Sequence, residues 1–453
     1  MQIGKTDFIL GTFGILFGII IAFLLPVNAS YITMALLSIV QVIFNVFIVN
    51  KKKCANIISF YTLFLFFSWF FHCGQIIKLA FDIPGSVPLD VTRYADYNSI
   101  LNSFRFYFVS QSMISAGMLF ARSKQYDREI YHNKFNAKKS SKVLIALGII
   151  PRLYIDISIL LGGLAAGYQG VYSITFPQLL QTVAFFFDAG CVVALLDTDN
   201  KKRNILFWVI LLYKCITMST GARQERIAFL IIWVFIFFYV SKKMRLRNVF
   251  IMTILAVLGI LLVNSIGVIR ASSSISISEV FGAMFSSDSS NILGNMLGEF
   301  GSALTTLAVT VKQVPIACSW GYGDSYLAGI LSIVPTLATR LGFGDATMYI
   351  SKLSGVTYFG GSYLGELYYN FSWLGSLVCI VIGIIVSRAQ SYIYATDTDG
   401  NITKKGVFAA IVMISLILFV RGYFTDMVQK LVWTWVLLYF VNDRPLTIGR
   451  NAI

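Results

Sequence analysis

A short polar segment with two arginines lies between two apolar runs near the middle of the chain. Ser219 or Thr220 can cap a helix that begins there, and Gly221 allows other groups to approach its first turn closely. Arg223 and Arg226 are three residues apart, so they lie on the same face of that helix. A capped helix start with two guanidinium groups is typical of a site for an anion.

Basic side chains also stand at the ends of several other apolar runs. An arginine inside a membrane costs about 2.5–3.5 kcal/mol on insertion scales, so it usually has a function there. Guanidinium suits phosphate because it binds two oxygens at once and keeps its charge when partly desolvated. The alternative is that these side chains reach the membrane interface or pair with acids such as Glu225 or Asp426. The further candidates for anion binding are Arg270, Arg340 and Arg421.

Glu366 is the acid best placed for chemistry, because it stands just before an apolar run. A carboxylate there can act as the general base for a sugar hydroxyl or can hydrogen-bond a sugar. An ion pair with one of the arginines is the alternative. Arg152 and Asp156, spaced i and i+4, predict a buried ion pair, whereas Asp188 is a buried acid with no partner near it in the sequence.

Aromatic residues crowd the segment that contains Glu366. They form either a belt at the membrane interface or a platform on which sugar rings stack. The cluster consists of Tyr358, Phe359, Tyr363, Tyr368, Tyr369, Phe371 and Trp373.

The composition identifies the kind of protein that must position these groups. Hydrophobic residues make up 57% of the 453 residues, and charged residues make up only 13%. Soluble proteins carry about 25% charged residues, so we expect an all-α polytopic membrane protein. The cysteines and histidines show no metal spacing, and neither a Walker A nor a GxGxxG motif precedes a helix. The sequence therefore predicts no metal site and no cofactor.

Twelve segments are apolar and long enough to be candidate membrane spans. With the N-terminus in the cytoplasm, 23 of the 36 Lys and Arg residues fall on the cytoplasmic side, which accounts for the whole net charge of +15. The positive-inside rule therefore places both termini in the cytoplasm. These basic clusters are short and lie next to the membrane, so they do not indicate nucleic-acid binding. The spans cover roughly residues 7–26, 31–50, 57–80, 104–121, 143–165, 177–197, 204–220, 224–241, 248–269, 371–388, 406–421 and 426–442.

The chain is predicted to form one integral membrane domain, residues 1–453, with a large extracytoplasmic loop at residues 270–370. A loop of this length is usually functional, and we expect short helices within it. Its segment Leu293–Val311 is more typical of the membrane interface than of a span. The same topology puts the start of the eighth span, near Arg223, on the outer face, where the natural anion is the phosphate of a lipid carrier.

The chain resembles the Wzy-type polymerases of bacterial O-antigen and capsule polysaccharides. The resemblance rests on the helix start Thr220–Arg223, on Arg270 after the ninth span, and on the run from Gly360 to Gly375, in that topological order. The run reads Gly-Gly-Ser-Tyr-x-Gly-Glu-x-Tyr-x-Asn-Phe-x-x-x-Gly. An arginine followed by glycine eleven positions later, a pattern of outer loops in some of these polymerases, is not found in the large loop.

The resemblance implies a metal-independent glycosyltransferase with a glycosyltransferase-C-like fold, in the bacterial cytoplasmic (inner) membrane and active on its outer face. The donor would be the growing glycan on undecaprenyl pyrophosphate, and the acceptor would be a second lipid-linked repeat unit. The lipid bilayer is a further implied partner, and a chain-length regulator and a flippase are candidate protein partners.

The same interpretation assigns roles to the candidate residues. Arg223 is catalytic and stabilises the pyrophosphate leaving group, and Glu366 is the base or orients the acceptor. Contacts to pyrophosphate or sugar are assigned to Arg226, Arg270, Arg340, Arg421, Tyr363, Tyr368 and Asn370.

Two other functions compete with the polymerase. A lipid-linked oligosaccharide flippase or another transporter would also have about twelve spans, but transporters often contain internal repeats, and no two-half repeat is visible here. An O-antigen ligase would share the fold and the leaving group. A histidine in the large loop would favour the ligase, and residues 270–370 contain none. The polymerase is therefore the preferred hypothesis.

Overall fold

The protein is described here by a computed structural model. The described residues are 5–53, 55, 58–85, 87, 89–121, 135–174, 176–197, 200–218, 224–241, 291–343, 360–393 and 402–442. Within these ranges the chain is helical and forms no β-strand, which confirms the all-α class.

The helices follow the apolar runs of the sequence. The first nine are α1 (Lys5–Leu24), α2 (Tyr31–Lys52), α3 (Phe60–Ala80), α4 (Val91–Tyr94), α5 (Tyr97–Phe120), α6 (Ala137–Ser173), α7 (Gln178–Asp197), α8 (Asn200–Met218) and α9 (Gln224–Ser241). Four short helices follow, α10 (Ile292–Phe300), α11 (Ser302–Gln313), α12 (Asp324–Leu331) and α13 (Leu337–Arg340). The last four are α14 (Tyr363–Phe371), α15 (Gly375–Tyr392), α16 (Lys404–Val420) and α17 (Phe424–Asn442).

Polar side chains fix where several of these helices begin. Ser59 accepts a hydrogen bond from the backbone N–H of Thr62, and Asp96 accepts one from Ser99. At the start of α16, Thr403 accepts one from the backbone N–H of Gly406. Each bond satisfies a backbone donor that has no partner within its helix.

Helices lie at eleven of the twelve predicted span positions, and the segment 248–269 lies outside the described residues. Among the described helices, six units are long and apolar enough to cross a membrane. The other predicted spans are not among these units, so twelve spans and the glycosyltransferase-C-like architecture remain predictions. The six units are α1, α2, α3, α6 as far as Gly162, α7, and α14 with α15.

Helix α5 lies in the centre of the bundle and packs against both α1 and α15. Gly117 of α5 and Gly383 of α15 allow this close approach. A Cβ atom on Gly117 would overlap the carbonyl oxygen of Ile380, and one on Gly383 would overlap that of Ile114. Small residues at helix contacts are the usual means of packing helices closely in membranes.

The predicted interfacial segment Leu293–Val311 forms the pair α10 and α11, which meet at Gly301 with a bend of 42°. By length and composition the pair is either a broken span or a re-entrant loop. Gln75 of α3 supports the bend, because its Nε2 donates to the carbonyl oxygens of Gly298 (3.0 Å) and Leu89 (2.8 Å). Its Oε1 accepts from the N–H of Val91 at 2.9 Å. One buried amide thus pairs backbone groups near helix ends and in the loop before α4, where helical hydrogen bonding is incomplete.

Candidate functional site

An apolar groove with a guanidinium group in its wall lies where α16 ends and α9 begins. Arg421 directly follows α16, and its side chain is 16% exposed. Its Nη2 lies 3.6 Å from Oε1 of Glu299 on α10. We call this feature the Arg421 groove; the described residues that line it are Phe71, Ile227, Ala228, Ile231, Phe300, Ile417 and Arg421.

The two consecutive glycines of the Gly360–Gly375 run lie against the residues that follow α16. A Cβ atom on Gly360 would lie 3.6 Å from Nε of Arg421, and the carbonyl oxygen of Gly360 accepts a hydrogen bond of 2.7 Å from Thr306. Gly361 packs directly on Gly422, where a side chain would overlap the backbone. Gly361 is therefore needed for the close approach of two chain segments beside Arg421, whereas a Cβ atom at Gly360 would make only an ordinary contact.

Glu366 lies on α14 and is 1% exposed. Its Oε1 accepts a hydrogen bond from the Ser325 hydroxyl (2.7 Å), and its Oε2 accepts one from the backbone N–H of Phe424 (2.8 Å). Phe424 is the first residue of α17, so Glu366 pairs a backbone donor at the start of that helix. The turn between α16 and α17 thus carries Arg421 at one end and is bound to Glu366 at the other.

His72, which the sequence analysis did not assign to the site, holds the start of α14. Its Nδ1 lies 2.8 Å from the carbonyl oxygen of Ser68, and its Nε2 lies 2.9 Å from Oγ of Ser362. A carbonyl only accepts, so Nδ1 carries a hydrogen, and in the neutral ring Nε2 accepts from the hydroxyl. Ser362 in turn accepts from the N–H of Gly365 at 3.2 Å. This chain of bonds fixes the helix that carries Glu366.

A second polar cluster is enclosed between α6, α7, α8, α9 and α17. On α6, Arg152 lies 3.0 Å from Asp156, as its i and i+4 spacing predicts. Arg226 Nη2 lies 2.6 Å from the other oxygen of Asp156. We call the cluster the ion-pair network; its charged members are Arg152, Asp156, Asp188, Lys214, Glu225, Arg226 and Lys430.

The remaining pairs of the ion-pair network connect further helices. Asp188 pairs with Lys214 and lies 3.5 Å from Arg152, so the acid has partners on two neighbouring helices. Glu225 lies 3.1 Å from Arg152 and 2.8 Å from Lys430. Opposite charges in contact offset much of the cost of taking each charge out of water.

A family model of the O-antigen polysaccharide polymerase Wzy matches residues 8–442. The chain belongs to this family. No curated protein and no solved structure matches it. The match extends over nearly the whole chain and includes both the Arg421 groove and the ion-pair network. It confirms the resemblance seen in the sequence and identifies a membrane protein of polysaccharide biosynthesis with the role of an O-antigen polymerase.

The three predicted arginines among the described residues lie in three different surroundings of this Wzy-family polymerase. Arg421 lines the groove, and Arg226 lies in the ion-pair network and is 2% exposed. Arg340 is exposed at the end of α13. Arg223 and Arg270 lie outside the described residues.

The predicted sugar contacts on α14 are buried among other side chains. The Tyr363 hydroxyl lies 2.8 Å from Oγ of Ser68. The Tyr368 ring packs against Phe106 and Trp320. Asn370 donates to the Ser325 hydroxyl at 2.8 Å and accepts from the N–H of Gly323 at 2.9 Å. None of these three predicted contacts is among the described residues that line the Arg421 groove.

Sequence reasoning also missed polar residues that shape the site. Gln75 and His72 each interrupt an apolar helix, and a polar side chain in such a helix is itself a signal of a buried hydrogen bond. Glu299 lies in the semi-apolar segment of the large loop, and its nearness to Arg421 could not be read from the sequence. Among the described residues, no group of three His, Cys, Asp or Glu side chains could hold a metal ion.

Proposed function

We propose that this polymerase transfers the growing glycan from undecaprenyl pyrophosphate to a sugar hydroxyl of a second lipid-linked repeat unit, on the outer face of the cytoplasmic membrane. The observation that carries this proposal is the combination of apolar walls and a guanidinium group in the Arg421 groove. The excess of Lys and Arg lies in the loops predicted to be cytoplasmic, which supports the placement of the groove on the outer face.

The lining of the groove offers both kinds of group that a lipid pyrophosphate would contact. Phe71 from α3, Ile231 from α9 and Ile417 from α16 offer the apolar contacts that a polyprenyl chain needs. Arg421 offers charge-assisted hydrogen bonds to phosphate oxygens. Arg223 precedes the lining residue Ile227 by four positions, which supports its assignment to the same leaving group.

In the reaction, the acceptor hydroxyl oxygen forms a bond to the anomeric carbon of the donor sugar. The bond from that carbon to the phosphate oxygen breaks, and its electron pair leaves with the pyrophosphate. Arginines fixed around that group stabilise the charge that develops on it, and we propose that no metal is required. The hydroxyl proton passes to Glu366 if this residue is the base; if Glu366 only orients, the proton passes to an oxygen of the departing pyrophosphate.

The hydrogen bonds of Glu366 favour an orienting role over that of a base. Both of its oxygens are already engaged, by Ser325 and by Phe424. In this role Glu366 holds the turn that begins with Arg421, and the acceptor would bind on the adjacent surface. We assign Arg226, Arg270 and Arg340 to supporting electrostatic roles, and Tyr363, Tyr368 and Asn370 to shaping the acceptor side.

Purified protein mixed with lipid-linked repeat units in detergent tests the proposal. A ladder of products that lengthens by one repeat unit per step, formed without ATP and in the presence of EDTA, is the expected result. A flippase would give no ladder. A ligase would move glycan only when its separate lipid acceptor is added. Either result, or a ladder that requires a divalent metal, would contradict the proposed mechanism.

A further inference from the structure

One ion pair joins two helices whose first turns carry different parts of the proposed site. The pair is Glu225 on α9 with Lys430 on α17, at 2.8 Å. Both helices pack against α16. The Glu225–Lys430 contact is therefore a polar bridge between helices that share α16 as a neighbour.

The first turn of α9 belongs to the leaving-group side. Ile227 and Ala228, directly after Glu225 and Arg226, line the Arg421 groove. The first turn of α17 belongs to the acceptor side, because the N–H of Phe424 donates to Glu366 at 2.8 Å. A change in the spacing of these two helix starts would move one side of the site relative to the other.

The bridge is also anchored at its α9 end. The second oxygen of Glu225 lies 3.1 Å from Arg152 of α6, and the adjacent Arg226 lies 2.6 Å from Asp156 of the same helix. The start of α9 is thus fixed to α6 even without Lys430. Lys430, with a side chain 13% exposed, is the member that extends this fixation to α17.

We propose that Lys430 is a positioning residue for polymerisation, which sets the distance between the groove and the Glu366 side through Glu225. The inference rests on the proposed function for its division into leaving-group and acceptor sides. Lys430 itself contacts neither substrate. Its ammonium group acts by holding the two helix starts in register for the transfer step.

Initial rates of polymerisation by purified Lys430→Gln, Lys430→Arg, Glu225→Gln and the Glu225→Gln/Lys430→Gln double variant test this role. A misplacement of about 1 Å can cost roughly 100-fold in rate, so we expect Lys430→Gln to lower kcat by about 10–100-fold. KM for the lipid-linked substrate should change by less than about 3-fold, because the groove itself is intact. Lys430→Arg should restore most of kcat, because it restores the charge.

The double variant separates a shared role from two independent ones. If Glu225 and Lys430 act as one bridge, the double variant is no slower than the slower single variant. Lys312→Gln is the matched control, since Lys312 donates to the carbonyl oxygen of Tyr94 at an exposed position of α11, away from this bridge. It should keep wild-type kcat.

Three results would overturn the inference: wild-type kcat in Lys430→Gln, a loss confined to KM, or single-variant losses that multiply in the double variant. Size-exclusion chromatography shows whether Lys430→Gln is folded. If it is not, the rates of Glu225→Gln and Lys430→Arg still test the bridge: the first variant should lose kcat and the second should keep most of it. Polymer length in cells is measured in parallel. Suppose that purified wild-type protein cannot use lipid-linked units but Lys430→Gln cells make shortened polymer. That outcome would refute the proposed donor, whereas the positioning role of Lys430 would still hold.

Discussion

Arg226 donates from Nη2 to Oδ1 of Asp156 across 2.6 Å, and the two side chains are only 2% and 4% exposed. This pair joins the first turn of α9 to the middle of α6, seventy positions away in the sequence. Arg226 is therefore part of the framework that holds α9 beside the Arg421 groove. The guanidinium group that lines the groove belongs to Arg421.

Replacing Asp156 with Asn should destabilise the protein strongly. The change leaves Arg226 and Arg152 buried with one fewer negative charge, and breaking a buried pair costs about 3–5 kcal/mol. The thermal unfolding midpoint of the detergent-solubilised protein measures the effect. Asp7→Asn is the control, because Asp7 pairs with Lys52 at 3.3 Å with side chains 21% and 33% exposed. Equal shifts in the two variants would contradict the structural role of the network.

Replacing Gln75 with Leu should loosen the bent pair α10 and α11. The carbonyl oxygen of Gly298 and the N–H of Val91 would lose their partner, and each unsatisfied buried group costs about 1–3 kcal/mol. We expect a lower unfolding midpoint and faster backbone hydrogen exchange near residue 298. Gln181→Leu removes a comparable bond at an exposed position and should have little effect. Unchanged exchange in Gln75→Leu would argue against the observed bend.

Replacing Gly383 with Ala should force α15 away from α5, because the new methyl group would overlap the carbonyl oxygen of Ile114. Overpacking typically costs about 1–3 kcal/mol, which the unfolding midpoint will show. Gly14→Ala is matched to it, since nothing lies within 4 Å of a Cβ atom at Gly14. That control should be neutral or slightly stabilising, as alanine favours helix. A neutral Gly383→Ala would mean that the two helices are farther apart than described.

Variants of Glu366 distinguish an orienting group from a base. Glu366→Gln keeps a carbonyl oxygen that can accept from Phe424 or Ser325, so an orienting role predicts a loss of less than about 10-fold in polymerisation rate. Removal of a general base would cost about 100–10,000-fold. If Glu366 orients, Glu366→Ala, which removes both bonds, should be slower than Glu366→Gln. Glu366→Gln as slow as Glu366→Ala would support the base.

The sequence was sufficient to predict the helices and one local ion pair. Apolar runs of the right length placed eleven helices where the structure has them. Arg152 and Asp156 meet because four residues make one helical turn, which depends on local geometry alone.

Contacts between helices that are far apart in the chain could not be predicted from the sequence. Nothing in the chain indicates that Lys430 lies beside Glu225, 205 positions away, because a single sequence does not say which helices are neighbours. Arg226 appeared as a ligand for phosphate for the same reason, since its partner Asp156 is on another helix. Glu366 was identified as an acid just before an apolar run, but its bonds to Ser325 and Phe424 depend on how the large loop folds back.

The affinity of the purified protein for undecaprenyl pyrophosphate tests most directly whether the Arg421 groove holds the leaving group. A hydrogen bond to a charged group contributes about 1.5–3 kcal/mol, so Arg421→Gln should weaken Kd by roughly 10–150-fold. Arg388 is an exposed arginine near the C-terminal end of α15. The control variant Arg388→Gln should bind undecaprenyl pyrophosphate like the wild type. An unchanged Kd in Arg421→Gln, or an equal loss in Arg388→Gln, would contradict the account.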